Sequence, residues 1–119
     1  MLPAPLRLRR SEDFAHAVRR GARAGRDTLV VHCVRTHGPD GLVGFVVARS
    51  VGNAVVRNKV RRRLRGVVVE HSDALPGGAH IVVRALPAAA TAPYARLRDD
   101  YLSALGTAVR RARPVDGDA

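Results

Sequence analysis

The sequence predicts an α+β fold: a single-sheet α-β sandwich with elements in the order α-β-β-β-α-β-α. Three observations carry this. Apolar, β-branched runs at 28–36, 42–48 and 79–85 read as strands. Apolar residues recur at helical spacing over 56–68 and 94–109. Gly- and Pro-rich clusters separate these runs. With 119 residues, 46% of them apolar, the chain suits one domain around one core.

Residues 1–10 form a Pro-containing basic arm with Arg7, Arg9 and Arg10, expected to be partly mobile until it meets an anion. The domain proper spans 11–113. "SEDFAHAVRRG" reads as a short helix, with Ser11 as N-cap, Glu12 and Asp13 at its positive start, and Arg19 and Arg20 at its end. Gly21 is expected to stop it in a left-handed conformation. Phe14 and Val18, four apart, share a face. "GARAG" (21–25) adds a short edge strand. "TLVVHCVRT" (28–36) is apolar on both alternating faces, as in a strand buried on both sides. The turn "HGPDG" (37–41) leads to "LVGFVVA" (42–48), so these two strands are expected to pair as an antiparallel hairpin. Asn53 caps a helix over 54 to about 71, "LPGG" (75–78) breaks the chain, and "AHIVVRA" (79–85) is the last strand. After the loop at 86–93, Tyr94, Leu97, Tyr101, Leu105 and Val109 mark one face of a final helix. Phe45, Tyr94 and Tyr101 belong to the core. Residues 114–119 are expected as a disordered tail.

Charge narrows the function. Lys and Arg total 21 against 10 Asp and Glu, a net charge of +11. Such a balance points to a polyanionic partner. A membrane surface would require large apolar anchors opposite the cations. The apolar residues near the basic run are mainly Val, and the chain has no Trp. No run of 18 apolar residues is present to span a bilayer, and "MLPAPLRLRR" lacks the apolar centre of a signal peptide. A cytoplasmic protein is expected, with no membrane partner and no small-molecule substrate. Cys33, the single cysteine, reads as a buried structural thiol.

The charge is concentrated in "VGNAVVRNKVRRRLRG" (51–66), where six of the nine residues from Arg57 to Arg65 are basic. At about 100° per residue, Val56, Val60, Leu64, Val67 and Val68 fall within about 120° of one another and form a docking stripe. Arg57, Asn58, Arg61, Arg62 and Arg65 occupy the neighbouring arc, with Lys59 and Arg63 on the far flank. A merely solvated face would carry Glu at i±4 to balance Arg, yet no acid occurs in 41–69. Arginine is also suited to forked contacts with phosphate oxygens. The helix lies between strands, outside any helix-turn-helix and without heptads, which favours RNA over DNA. Nothing in the chain looks catalytic. His16, His32, His37, His71 and His80 show no ligand spacing, and Asp99 and Asp100 diverge on a helix as a solvated face would. No protein-held metal is expected.

On these residues the chain resembles the protein subunit of bacterial ribonuclease P. The resemblance rests on Val43, Gly44, Arg49, Gly52, Asn53, Ala54, Val55, Arg57, Asn58, Lys59, Arg61, Arg62 and Arg65, with Glu12, Asp13 and Phe14 in the first helix. It implies a left-handed β-α-β crossover around the basic helix, against the right-handed default. It implies an accessory protein in a ribonucleoprotein endonuclease whose RNA subunit, with Mg2+, removes the 5′ leader of precursor tRNA. Arg49, Asn53, Arg57, Asn58, Lys59, Arg61, Arg62 and Arg65 would then bind RNA. A cleft between the first helix, the sheet and the basic helix would hold the leader through Phe14, Val18, His32 and Ser50. Val18 and His32 stand where relatives often carry aromatics, Ser50 where they carry Lys, and Ala79 where an acid is common. These departures bear on leader stacking, worth ~1–3 kcal/mol per base. A basic RNA-binding or ribosome-associated protein with no part in cleavage is the alternative.

A domain this small at +11 repels itself, and anions that bind its folded state should stabilise it. Melting temperature should therefore be higher in sulfate than in chloride at equal ionic strength. Equal values would reduce the effect to screening.

Overall fold

The computed structural model of the chain describes residues 6–113. In order, the elements are α1 (Ser11–Arg20), β1 (Ala22–Gly25), β2 (Leu29–Arg35), β3 (Leu42–Val46), α2 (Ala54–Glu70), β4 (Ala79–Ala85) and α3 (Tyr94–Arg111). This is the expected order, edge strand included. Short 3-10 turns at Arg49–Val51, Ser72–Ala74 and Pro87–Ala90 complete the connections.

The strands form one mixed sheet in the order β1-β2-β4-β3. The expected hairpin between β2 and β3 does not form, because β4 enters between them. β4 pairs antiparallel with β2 from Leu29↔Ala85 to Arg35↔Ala79, and parallel with β3 from Leu42↔His80 to Val46↔Arg84. The link at 36–41 permits this: two strand spacings are about 10 Å, and six extended residues reach about 20 Å. Parallel neighbours need a crossover, and α2 supplies it.

Alternation along the strands divides the core. Leu29, Val31, Cys33, Val43, Ile81 and Val83 face α2 and α3, while Val82, with Val34, Leu42 and Val46, faces Ala17 and Phe14 of α1. α2 buries Val60, Leu64, Val67 and Val68, with Val56 half-buried beside them, as its apolar spacing requires. α3 buries Leu97, Tyr101 and Leu105 and half-buries Tyr94 and Val109. Phe45 is likewise only half-buried, against the same core. Burial raises the Cys33 thiol to about 11, which keeps it protonated and inert at neutral pH.

Several local expectations are corrected. The N-cap of α1 is Arg10, with no side-chain cap bond, and Ser11 is the first helical residue. Gly21 is extended, at φ −74° and ψ 159°. It is needed for space: a Cβ there would strike the Ala17 carbonyl and lie 2.8 Å from that of Cys33. The basic arm lies against the fold at residues 6–8. Arg7 bridges Val43, the Leu8 N–H donates to the Val43 carbonyl at 2.9 Å, and Leu8 is buried. Residues 1–5 and the expected tail at 114–119 lie outside the described residues.

Asp100 is no solvated carboxylate. It is 8% exposed and accepts from the Thr28 backbone N–H at 3.2 Å and the Thr28 hydroxyl at 2.7 Å. Arg96 bridges it to Asp27, at 3.3 Å and 2.5 Å respectively. These bonds pin the β1–β2 turn to α3. Asp100→Ala would leave two buried donors of Thr28 unpaired, at a cost of about 1–3 kcal/mol. Its urea midpoint should fall clearly, with Asp100→Asn in between. An unchanged midpoint for Asp100→Ala would remove this role.

Candidate nucleic-acid interface

The interface begins where β3 ends. After the 3-10 turn carrying Arg49 and Ser50, both exposed, Gly52 turns the chain at φ 158°. A Cβ on Gly52 would lie 2.7 Å from Val56 Cγ1, so the tight entry excludes a side chain. Asn53 then caps α2, its Oδ1 accepting from the Val56 N–H at 3.0 Å. That bond commits one polar atom of Asn53 to the helix and leaves its amide N–H groups for a ligand.

Docking of the Val/Leu stripe fixes the direction of the cations. Asn58, Lys59 and Arg62 are exposed, while Arg57, Arg61 and Arg65 are half-buried. Among the described residues none of the basic residues from Arg57 to Arg65 forms a salt bridge. Arg61 reaches only Asn58, at 3.4 Å. The Arg57 Nε is buried without a hydrogen-bond partner. Arg63 differs, since it donates to the Ala92 carbonyl at 3.0 Å and so ties α2 to the loop before α3. It is a structural cation.

The expected cleft takes a different shape. α1 and α2 cover opposite faces of the sheet, so a groove on the α1 face is floored by strands and walled by α1, without the body of α2. Phe14 sits directly over Gly44, where any Cβ would run into its ring. Val18 is 41% exposed on the same helix. In the register Gly44, Val82, His32 and Arg23 stand in one row across the sheet, which separates Gly44 from His32 by about 10 Å. His32 is only 2% exposed, and both its ring nitrogens lack partners. A strand in the groove meets His32 only if its neighbours move. Ser50 lies apart from this row, on the turn leading to α2.

The sequence reading missed Arg84 and Arg23, which flank His32 and, after burial itself, lower its pKa. Parity along β4 places Arg84 on the face of His80 and Val82; only the pairing of β4 with β2 brings it to His32. Among the described residues no three His, Cys, Asp or Glu side chains gather as a metal site.

The fold and site thus define a class: a small basic α+β protein whose crossover helix carries an acid-free cationic run, with α1 packed on the opposite face of the sheet. Comparison with known proteins places it more narrowly. The family model for ribonuclease P matches residues 2–109. The chain is 53% identical to the ribonuclease P protein component of Kocuria rhizophila, over 93% of this chain and 98% of that one. It is 54% identical to that of Nocardioides sp., over 84% and 88%. The RNase P protein of Thermotoga maritima superposes with a TM-score of 0.74 at 26% identity, over 82% of this chain and 92% of that one. That of Staphylococcus aureus gives 0.77 at 23% identity, over 86% and 94%, a likeness of fold. The chain belongs to the ribonuclease P protein family.

Because burial, Arg84 and Arg23 all disfavour its charge, folded His32 stays neutral below the ordinary imidazole value of about 6.5. Above that value neither folded nor unfolded chain protonates it, and its neutral-state stability is fully present. As pH falls from there toward the folded pKa, the unfolded chain takes up a proton the folded one refuses, and stability is lost. Wild-type protein should therefore lose stability below about pH 6.5 more steeply than His32→Phe. Parallel pH profiles from denaturant melts would contradict this.

Proposed function

We propose that this chain acts as the protein subunit of ribonuclease P, binding the catalytic RNA subunit and the 5′ leader of precursor tRNA. Family membership supports an accessory role in a ribonucleoprotein enzyme. One structural observation carries the assignment of the surface: among the described residues the cations of α2 have no carboxylate partner, while Val60, Leu64, Val67 and Val68 of its apolar stripe are buried. The helix is thus fixed by its core face and free to offer charge.

On this reading Arg49, Asn53, Arg57, Asn58, Lys59, Arg61, Arg62 and Arg65 meet phosphates of the RNA subunit. Arg is the apt residue, because its planar fork matches two phosphate oxygens at once. The leader lies in the α1 groove against Phe14 and Val18, with Ser50 at the turn beyond and His32 beneath the surface. Phe14 offers a stacking face, whereas Val18 offers only apolar contact. We assign Mg2+ to the RNA subunit, where it would supply an activated water and stabilise the leaving oxygen. No step is routed through a protein-held ion. The protein's part is to hold the leader and screen repulsion between two RNA backbones. The setting is cytoplasmic; no helix among the described residues is long and apolar enough to cross a membrane.

The protein added to its cognate RNA subunit should raise precursor cleavage at low magnesium. Arg57→Ala and Arg61→Ala should each lower the salt slope of RNA affinity by about 1, with little change in melting temperature. No gain in cleavage over RNA alone would defeat the functional reading. Unchanged slopes in both variants would remove the phosphate contacts.

A further inference from the structure

A second cationic groove lies at the opposite edge of the sheet. Its cavity, about 890 Å³, is lined by His16 and Arg20 of α1, Val34 and Arg35 of β2, and Arg111 and Arg113 at the end of α3. Its floor is an open sheet edge. β1 pairs with β2 only from Ala22↔Cys33 to Gly25↔Val30, so Val34 and Arg35 extend past it. Among the described residues, no Asp or Glu lines the cavity.

Helix-end arginines often serve only to offset the helix dipole. Magnitudes argue against that here. Two helix C-termini supply about one negative charge between them, against four arginines: Arg20, Arg35, Arg111 and Arg113. Only Arg111 is engaged in the fold, donating to the Arg23 carbonyl at 3.1 Å. Arg20, Arg35 and Arg113 make no hydrogen bond or ion pair among the described residues. About three positive charges are left over by this count. A cavity of this size could hold a small ligand, but such sites are mostly apolar. This one is walled by cations and lacks a large apolar anchor for a membrane.

The groove is also separate from the surfaces already described. His16 and Arg20 lie about 160° or more around α1 from Val18, so α1 divides this groove from the leader groove. α2 is entered from β3, which lies at the other edge of the sheet, three strand positions from β1, a distance of about 14 Å.

We propose that this groove is a second RNA-backbone site, holding phosphates of a strand that runs along the β1–β2 edge. The proposal rests on the ribonuclease P reading. Two sources share this chemistry, the RNA subunit and the precursor, whose leader could continue past α1.

The test uses full-length Arg20→Gln/Arg35→Gln, with Arg113→Gln as an independent variant. Circular dichroism melts check folding. Affinity is measured against salt for three pairs: protein with RNA subunit, and reconstituted holoenzyme with precursors of short and of long leader. The double variant should lower the slope by about 1.4–1.8, the release expected for two phosphate contacts, and Arg113→Gln by about half as much. Loss confined to the long-leader precursor assigns the groove to the leader. Loss already in the binary complex assigns it to the RNA subunit. Wild-type-like slopes in all three pairs, with Arg57→Ala still weakening binding, would overturn the groove and leave the α2 reading intact. Wild-type protein that binds no RNA would overturn both.

Discussion

Strand β4 is the constraint on which the rest of the structure depends. It is hydrogen-bonded along both edges, antiparallel to β2 and parallel to β3, and Ile81, Val82 and Val83 are fully buried. A strand in that position can be reached from β3 only by a crossover, so α2 must traverse the sheet. The Val/Leu stripe then seats α2, and its cations are directed away from the core. The same strand carries Arg84 to the α1 face beside His32. The cationic helix and the sheet face beneath α1 are therefore both set by one central pairing.

Charge is distributed by the same architecture. Asp27 and Asp100 are ion-paired where α3 meets the first strands. Asp100 holds Thr28, Arg96 links Asp27 to Asp100, and Arg26 bonds Ser103 and Thr107. There, acids and arginines do structural duty in pairs. Among the described residues, the cations along Arg57–Arg65 and in the β1–β2 groove stand without acids. At physiological salt the Debye length is about 8 Å, so α2 and the far groove act nearly independently on an approaching polyanion. Repulsion within each cluster persists where no carboxylate offsets it.

Three kinds of residue take their setting from partners that one dimension does not show. Asp99 and Asp100 look alike along the chain, yet one pairs with Arg98 at the surface and the other anchors a turn from within. Arg63 belongs to the same run as Arg61 and Arg62 but faces a loop carbonyl. His32, placed in the leader cleft by the family resemblance, is 2% exposed, and burial first, then Arg84 and Arg23, disfavour its charge. In each case the role follows from a partner distant in sequence.

The sequence by itself determined the elements and the chemistry of α2. Hydrophobic period and turn residues mark local backbone states, and an acid-free run of arginine marks an unmet need for anions whatever the fold. The motif around Gly52, Asn53 and Arg57 was equally legible, because a cap and a tight turn involve only near neighbours. Tertiary structure alone decided that β4 lies between β2 and β3, that α1 and α2 cover opposite faces, and that Arg20, Arg35, Arg111 and Arg113 converge. Strand order and the meeting of helix ends depend on contacts between residues tens of positions apart, and the adjacency of two strands in the chain carries no energy that forces them to pair.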